Sequence, residues 1–324
     1  MSKKKILITG CAGFIGYHLT IKLLKNKNYL IEGLDNINNY YDVSLKKIRL
    51  KELKKYENFK FYKCDLKNNK SLKKIFQEAK YDYVINLAAQ AGVRYSITNP
   101  DAYFDSNISG FYNILKLSTE FKIKHLLFAS TSSVYGNSDK FPLTEDLKTD
   151  SPKSFYSASK KINEIMAYSF SSIYKLPITG LRFFTVYGNL GRPDMAIFKF
   201  SKAIQKNKKF ELFNKGDHYR DFTHVDDVTI AISKIINQPP SSKVPYDIFN
   251  ICKSKSIFIK DVVKKIELFY NKKAKVINLP LQQGDVKKTL GSSKKLQNKI
   301  KYKPKKNFND GLLEFLKWHR DFND

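Results

Sequence analysis

Tyrosine and lysine four residues apart share one face of a helix, and Tyr156-Ser157-Ala158-Ser159-Lys160 offers that pairing. A phenol at its ordinary pKa of about 10 is a poor base at neutral pH. An ammonium one helical turn away favours the phenolate and lets Tyr156 take a proton from a substrate hydroxyl. Upstream, Ser130-Thr131-Ser132-Ser133-Val134-Tyr135-Gly136 supplies a run of hydroxyls, and Thr131 can hold the group that Tyr156 deprotonates. Thr131, Tyr156 and Lys160 are therefore the catalytic candidates. A bare YxxxK pattern arises by chance in a chain with 20 tyrosines, so its weight depends on its context.

That context begins with Gly10-Cys11-Ala12-Gly13-Phe14-Ile15-Gly16, a GxxGxxG turn between an apolar run and a helical pattern. Small residues let the backbone approach a diphosphate, whose charge is favoured by a helix N-terminus. Leu34-Asp35-Asn36 then closes a second apolar run. Its carboxylate can accept hydrogen bonds from both ribose hydroxyls of an adenosine, which favours NAD over NADP because a 2′-phosphate would meet Asp35 with no Arg beside it. The simpler alternative is an Asp that caps the following segment. Cys64-Asp65-Leu66 and Leu87-Ala88-Ala89 end later apolar runs and fall at the same edge.

These residues need a scaffold that gathers loops at one edge. Short apolar runs at 5–9, 29–34, 59–63, 82–87 and 125–130 alternate with longer segments of helical period, which predicts an α/β doubly wound parallel sheet of Rossmann type. Helical pattern from Tyr156 to Tyr174 stops before Pro177, and residues 178–184 read as another inner strand. An NAD-binding domain is thus expected over 1–184, with a return segment near 222–250. Residues 185–221 and 251–324 are expected to form a smaller mixed α/β substrate domain that ends on a helix near 308–321.

Composition narrows the function classes. A chain of 324 residues, 42% hydrophobic and 27% charged, can bury a sizeable core. Its formal charge of +29 raises nucleic acid as a partner. However, only six of the 59 basic residues are Arg, and the Lys are spread from Lys3 to Lys317. Dispersed Lys on solvated faces needs no ligand, so no nucleic-acid partner is expected, although a positive field would draw in an anionic substrate. Cys11, Cys64 and Cys252 are too few and scattered for a disulfide framework or a zinc site, which points to the cytoplasm. The apolar run Ile6 to Ile8 is too short for a signal core or a spanning helix, so no membrane association is expected.

Longer motifs add a resemblance. Residues 34–46 (LeuAspAsnIleAsnAsnTyrTyrAspValSerLeuLys), 88–96 (AlaAlaGlnAlaGlyValArgTyrSer), 130–136, 181–188 (LeuArgPhePheThrValTyrGly), 191–195 (GlyArgProAspMet) and 220–227 (ArgAspPheThrHisValAspAsp) occur in order along nearly the whole chain. The sequence resembles the extended short-chain dehydrogenase/reductase family and, within it, the UDP-glucuronate 4-epimerases. The resemblance implies oxidation at the sugar C4, a 4-keto intermediate that turns over, and reduction from its other face by the same retained cofactor. It implies a homodimer. It also places Gly10, Gly13, Phe14, Ile15, Gly16, Asp35, Asn36, Asn39, Asp65, Leu66, Ala88, Ala89, Asn107, Tyr156 and Lys160 around NAD. Thr131, Ser132, Ser133 and Thr185 would face the sugar and its carboxylate, while Gln90, Arg94, Arg192, Arg220 and Asp285 would hold the UDP-sugar. Arg suits such anions through its planar fork. No metal is implied, and His218 and His224 read as structural residues.

Two departures sharpen the reading. Gln282-Gln283-Gly284-Asp285 is followed by Thr289-Leu290-Gly291-Ser292, where the family tends to place an aromatic residue and an acid, which puts the contact around the uridine ribose in doubt. Related 4,6-dehydratases carry Asp and Glu after the strand-five Thr, where this chain has Ser132 and Ser133. A hydroxyl cannot replace a carboxylate in acid-base elimination, so dehydration is disfavoured. The nearest alternative substrate is another UDP-hexose or a UDP-N-acetylhexosamine. More distant alternatives are a decarboxylase and a non-enzymatic binding protein on the same scaffold.

Overall fold

The computed structural model describes residues 3–282 and 284–323. Its strands, in chain order, are β1 (Lys4–Thr9), β2 (Tyr29–Asp35), β3 (Phe59–Lys63), β4 (Tyr83–Asn86), β5 (His125–Thr131) and β6 (Ile178–Phe183). They continue with β7 (Thr185–Tyr187), β8 (Lys209–Phe213), β9 (Tyr219–His224), β10 (Tyr246–Ile251), β11 (Ser256–Phe258) and β12 (Lys275–Leu279). The apolar runs of the first half thus become strands within a residue or two of their expected limits. β1 to β6 and β10 pair in parallel as one seven-stranded sheet, ordered β10-β6-β5-β4-β1-β2-β3. The order reverses between β1 and β4, which opens a crevice at the C-terminal ends of the strands. This is the expected Rossmann-type α/β fold.

The inner strands are apolar on both faces because helices cover both. Successive residues point to opposite sides, so Ile6 and Ile8 of β1 join one core and Leu7 joins the other. Fully burying each such side chain contributes about 1.5–3 kcal/mol. The helix Val225–Ile235 packs against the first helix, Phe14–Leu24, and the chain then returns as β10 beside β6. Beyond β6, β7 pairs with β9 in parallel and β9 with β11 antiparallel, while β8 and β12 form a parallel pair. The helices Ala196–Gln205, Ile259–Tyr270 and Phe308–Asn323 enclose a third core with these strands, rich in Phe198, Phe200, Phe210, Phe222 and Phe315.

Two local devices place the chemistry. The helix Phe155–Tyr174 starts at a capping box in which Ser154 Oγ accepts from Ser157 N at 3.2 Å and Ser157 Oγ accepts from Ser154 N at 3.1 Å. Tyr156 and Lys160 therefore stand on the first turns of a well-anchored helix. At the end of β5, Thr131 Oγ1 accepts from Ser133 N at 3.2 Å and starts the short 3-10 turn Ser132–Tyr135.

Candidate active site

A cavity of about 1000 Å³ lies at the C-terminal edge of the large sheet and is walled on its far side by residues from Phe183 to Asp285. Gly10, Gly13, Phe14, Ile15 and Gly16 form one end of it. Gly10 has φ +71°, and a Cβ there would lie 2.7 Å from Ala88 N. A Cβ on Gly16 would lie 2.0 Å from the Gly10 carbonyl oxygen. No side chain can therefore enter the turn, and the helix Phe14–Leu24 opens onto the cavity at Gly13 with no side-chain cap. At the end of β2, Asp35 Oδ2 accepts from Ala12 N at 3.2 Å and Oδ1 from Ile37 N at 2.8 Å. Asn36 Nδ2 donates to Asp65 Oδ2 at 2.9 Å. A glycine cradle, uncapped helix amides and a carboxylate closing β2 fit the diphosphate and ribose of a dinucleotide.

Asp35, Asn36, Asp65, Leu66, Ala88, Ala89, Tyr156 and Lys160 also line the cavity, but two residues expected beside NAD do not. Asn39 is exposed, outside the lining. Asn107 is buried, with Oδ1 accepting from Gln90 N at 2.8 Å and Nδ2 donating to Gln90 O at 3.0 Å and to Ser159 Oγ at 2.9 Å. It reaches the cavity by holding Gln90 and the catalytic helix. These two side chains face solvent and protein interior, a distinction that a linear motif does not carry.

Thr131, Tyr156 and Lys160 come together as expected, but their electrostatics differ. Burial raises the Tyr156 phenol above its ordinary value, opposed by its hydrogen bond with Thr131 and by the Arg192 guanidinium. Lys160 Nζ donates to Ala129 O at 2.9 Å, and burial lowers this amine to about 7. In the chain alone, desolvation thus outweighs the groups that favour the phenolate, of which the Arg192 guanidinium is one. Behind them, Glu164 accepts from Ser130 Oγ at 2.6 Å and from Arg182 Nε and Nη2, both at 2.9 Å. Arg182 Nη1 also donates to Tyr135 Oη at 2.9 Å, which donates to Asn250 Oδ1 at 2.7 Å. This buried network joins β5, β6 and β10 to the catalytic helix. Sequence reasoning missed it, although Arg182 lies inside a quoted motif and Glu164 stands one helical turn after Lys160.

Gln90, Arg94, Ser132, Ser133, Thr185, Arg192, Arg220 and Asp285 all line the cavity. Their charges already have partners. Arg192 Nε donates to Asp194 Oδ1 at 3.0 Å and Nη2 to Oδ2, while Tyr40 Oη donates to the same carboxylate at 3.3 Å. Arg94 lies over the Phe213 ring at 4.1 Å, and Arg220 Nη2 stands 3.8 Å from Asp285 Oδ1. His218 lines the cavity, its Nδ1 is buried without a hydrogen-bond partner, and burial lowers it to about 4. His224 is buried, and its Nδ1 accepts from Asp226 N at 3.3 Å. Tyr40, Lys46 and Asp194 were missed as individual lining residues, though each lies in or directly beside a quoted motif.

Comparison with known proteins agrees with this geometry. The family model described as GDP-mannose 4,6 dehydratase matches residues 7–315. The chain is 46% identical to Protein CapI of Staphylococcus aureus, over 98% of this chain and 99% of that one. It is 43% identical to a UDP-glucuronate 4-epimerase of Thermodesulfobacterium geofontis, over 97% and 96% respectively. Among solved structures, the UDP-glucuronic acid 4-epimerase of Bacillus cereus in complex with UDP-glucuronic acid and NAD superposes with a TM-score of 0.92 at 31% identity, covering 98% of this chain and 99% of that one.

Proposed function

The chain belongs to the GDP-mannose 4,6-dehydratase family of extended short-chain dehydrogenase/reductases, and from that premise we propose that it is an NAD-dependent 4-epimerase that interconverts UDP-glucuronate and UDP-galacturonate. The observation that carries this reading is a single cavity in which Tyr156 and Thr131 stand beside a glycine cradle, while Ser132 and Ser133 occupy the positions where elimination would need two carboxyl groups. NAD, bound along Gly10 to Gly16 and Asp35, supplies a reversible acceptor for the hydrogen on sugar C4.

The protein does the rest. Tyr156 accepts the proton of the C4 hydroxyl and later returns it, with Thr131 holding the same oxygen. Because burial raises the phenol, the phenolate needs nearby positive charge, which Arg192 and Lys160 supply and to which the cationic nicotinamide ring of bound NAD would add. Arg94, Arg220, Gln90 and Asp285 anchor the UDP portion while the ketosugar turns to present its other face. A 4-keto-glucuronate is a β-keto acid, so the Thr131, Ser132, Ser133 and Thr185 hydroxyls hold its carboxylate out of line with the carbonyl π system and suppress loss of CO₂. Thr185→Val is expected to raise the UDP-pentose side product, and an unchanged product ratio counts against this role. Residues 1–184 with 222–250 serve as the NAD unit, and 185–221 with 251–324 as the UDP-sugar unit.

The outer face of the Gly110–Glu120 and Phe155–Tyr174 helices exposes Tyr112, Ile165, Tyr168 and Ile173, an apolar patch that fits a second copy of the chain. We place the resulting homodimer in the cytoplasm. Proton NMR of purified protein with UDP-glucuronate, UDP-glucose and UDP-N-acetylglucosamine, without added NAD, tests the substrate. Only the uronate is expected to equilibrate with its C4 epimer. Conversion of a neutral sugar alone would overturn the substrate assignment.

A further inference from the structure

The helix Val43–Leu53 sends an arginine into the interior that meets no carboxylate among the described residues. Arg49 is 0% exposed. Its Nη1 donates to Ala12 O and to Tyr41 Oη, each at 2.9 Å. Its Nη2 donates to Leu190 O at 2.7 Å and Gly191 O at 3.3 Å, and its Nε is buried with no partner. A guanidinium satisfied mainly by neutral oxygens in a dry interior is unusual, since a buried charge normally keeps a counter-ion.

The segments it joins explain the placement. Ala12 sits within the Gly10–Gly16 turn, and Leu190 and Gly191 directly precede Arg192 and Asp194 of the opposite wall. Leu190 has φ +51°, a left-handed conformation that a non-glycine residue adopts only when its surroundings hold it. The neighbouring carbonyl, Asn189 O, lies 2.8 Å from Nε2 of His18 on the first helix. Three successive carbonyls, 189 to 191, are thus gripped by side chains of the dinucleotide side. Arg49 spans both the turn and the arm, because its planar fork presents two donor ends in a fixed geometry.

We propose that Arg49 is a positioning residue that couples the dinucleotide seat to the arm carrying Arg192, so that NAD and the UDP-sugar each raise the other's affinity. The inference rests on the cavity holding both ligands. An anionic diphosphate at the turn supplies the negative charge that Arg49 lacks, which holds the guanidinium in place, and its fork then steadies residues 190 and 191. Linkage makes the effect reciprocal.

The test is calorimetric titration of UDP into the full chain, stripped of NAD and reloaded. Wild type is expected to bind UDP roughly 5- to 50-fold more tightly when loaded, in the usual range of coupling between sites. In Arg49→Lys and Arg49→Met that ratio falls towards one. A merely structural role would weaken both ligands and leave the ratio unchanged, which would overturn the coupling. Wild type that binds neither ligand would remove the functional reading itself, whereas binding of both with a ratio of one removes only this inference. Should the variants fold poorly, hydrogen exchange on wild type decides. Amides 188–195 exchange more slowly with NAD than without it, and equal rates contradict the proposal.

Discussion

The wall that faces the dinucleotide is mostly backbone and small residues, whereas the wall beyond β6 presents long charged side chains already engaged with neighbours. Gly10 and Gly16 leave no room for a side chain at the turn, and Asp35 is pinned by two backbone amides. Across the cavity, Arg192 is paired with Asp194, and Arg220 approaches Asp285 only to 3.8 Å. The first wall has nothing to rearrange, so its affinity comes from pre-organisation. The second must exchange internal partners for ligand groups, which lowers net affinity but lets the sugar be released, turned and caught again. A cofactor kept through many turnovers and a substrate that must rotate ask for this asymmetry.

The comparison can be broken at several points, beginning where the effect is largest. Tyr156→Phe removes the proton acceptor between the walls and is expected to lower kcat by about 10² to 10⁴, with bound NAD unchanged in the purified protein's absorbance spectrum. Gly16→Ala forces a methyl against the Gly10 carbonyl and strikes only the rigid wall. NAD affinity should fall by about 10², or about 3 kcal/mol, measured by fluorescence titration of stripped protein, while UDP binding to NAD-free protein stays within a few-fold. Arg192→Met strikes the exchangeable wall and also removes a cation that favours the Tyr156 phenolate, so kcat falls as well. KM for UDP-glucuronate should rise about tenfold, in line with about 1.5 kcal/mol for a charge-assisted hydrogen bond, while NAD content holds. A loss of NAD in that variant would show that Arg192 itself supports the dinucleotide seat.

The smallest effect probes the scaffold beneath both walls. His125 is fully buried between Ile236 O at 3.0 Å and Thr179 Oγ1 at 2.8 Å, and burial lowers it to about 4. Its unfolded value is about 6.5. Between those values the unfolded chain binds a proton that the folded chain refuses, so stability falls as pH drops through that window. The loss from His125 is about 1 kcal/mol between pH 6.5 and 5.5, visible as a lower Tm, and His125→Gln should flatten the curve over that range.

The fold was legible because its strands are contiguous apolar runs and its glycine turn is local. The same holds for Tyr156 and Lys160, whose spacing sets their shared face. The contact of Tyr40 with Asp194 was not legible, because it joins loops 154 positions apart, and the local Arg192–Asp194 pair was not legible because spacing alone does not say which charge satisfies which. Burial was also invisible: it raises the Tyr156 phenol and hides Arg49 in the interior. Asn39 and Asn107 show the same limit: a motif places a residue near a site, and only packing decides whether its side chain faces solvent, ligand or a neighbouring backbone.

The central claim is that the hydrogen on C4 leaves and returns within one cavity, with Tyr156 handling only the hydroxyl proton. UDP-glucuronate deuterated at C4, incubated with the purified protein in ordinary water without added NAD, tests it directly by proton NMR and mass spectrometry. The account predicts UDP-galacturonate that retains deuterium at C4. Washout of that label into solvent at the rate of epimerisation would contradict it.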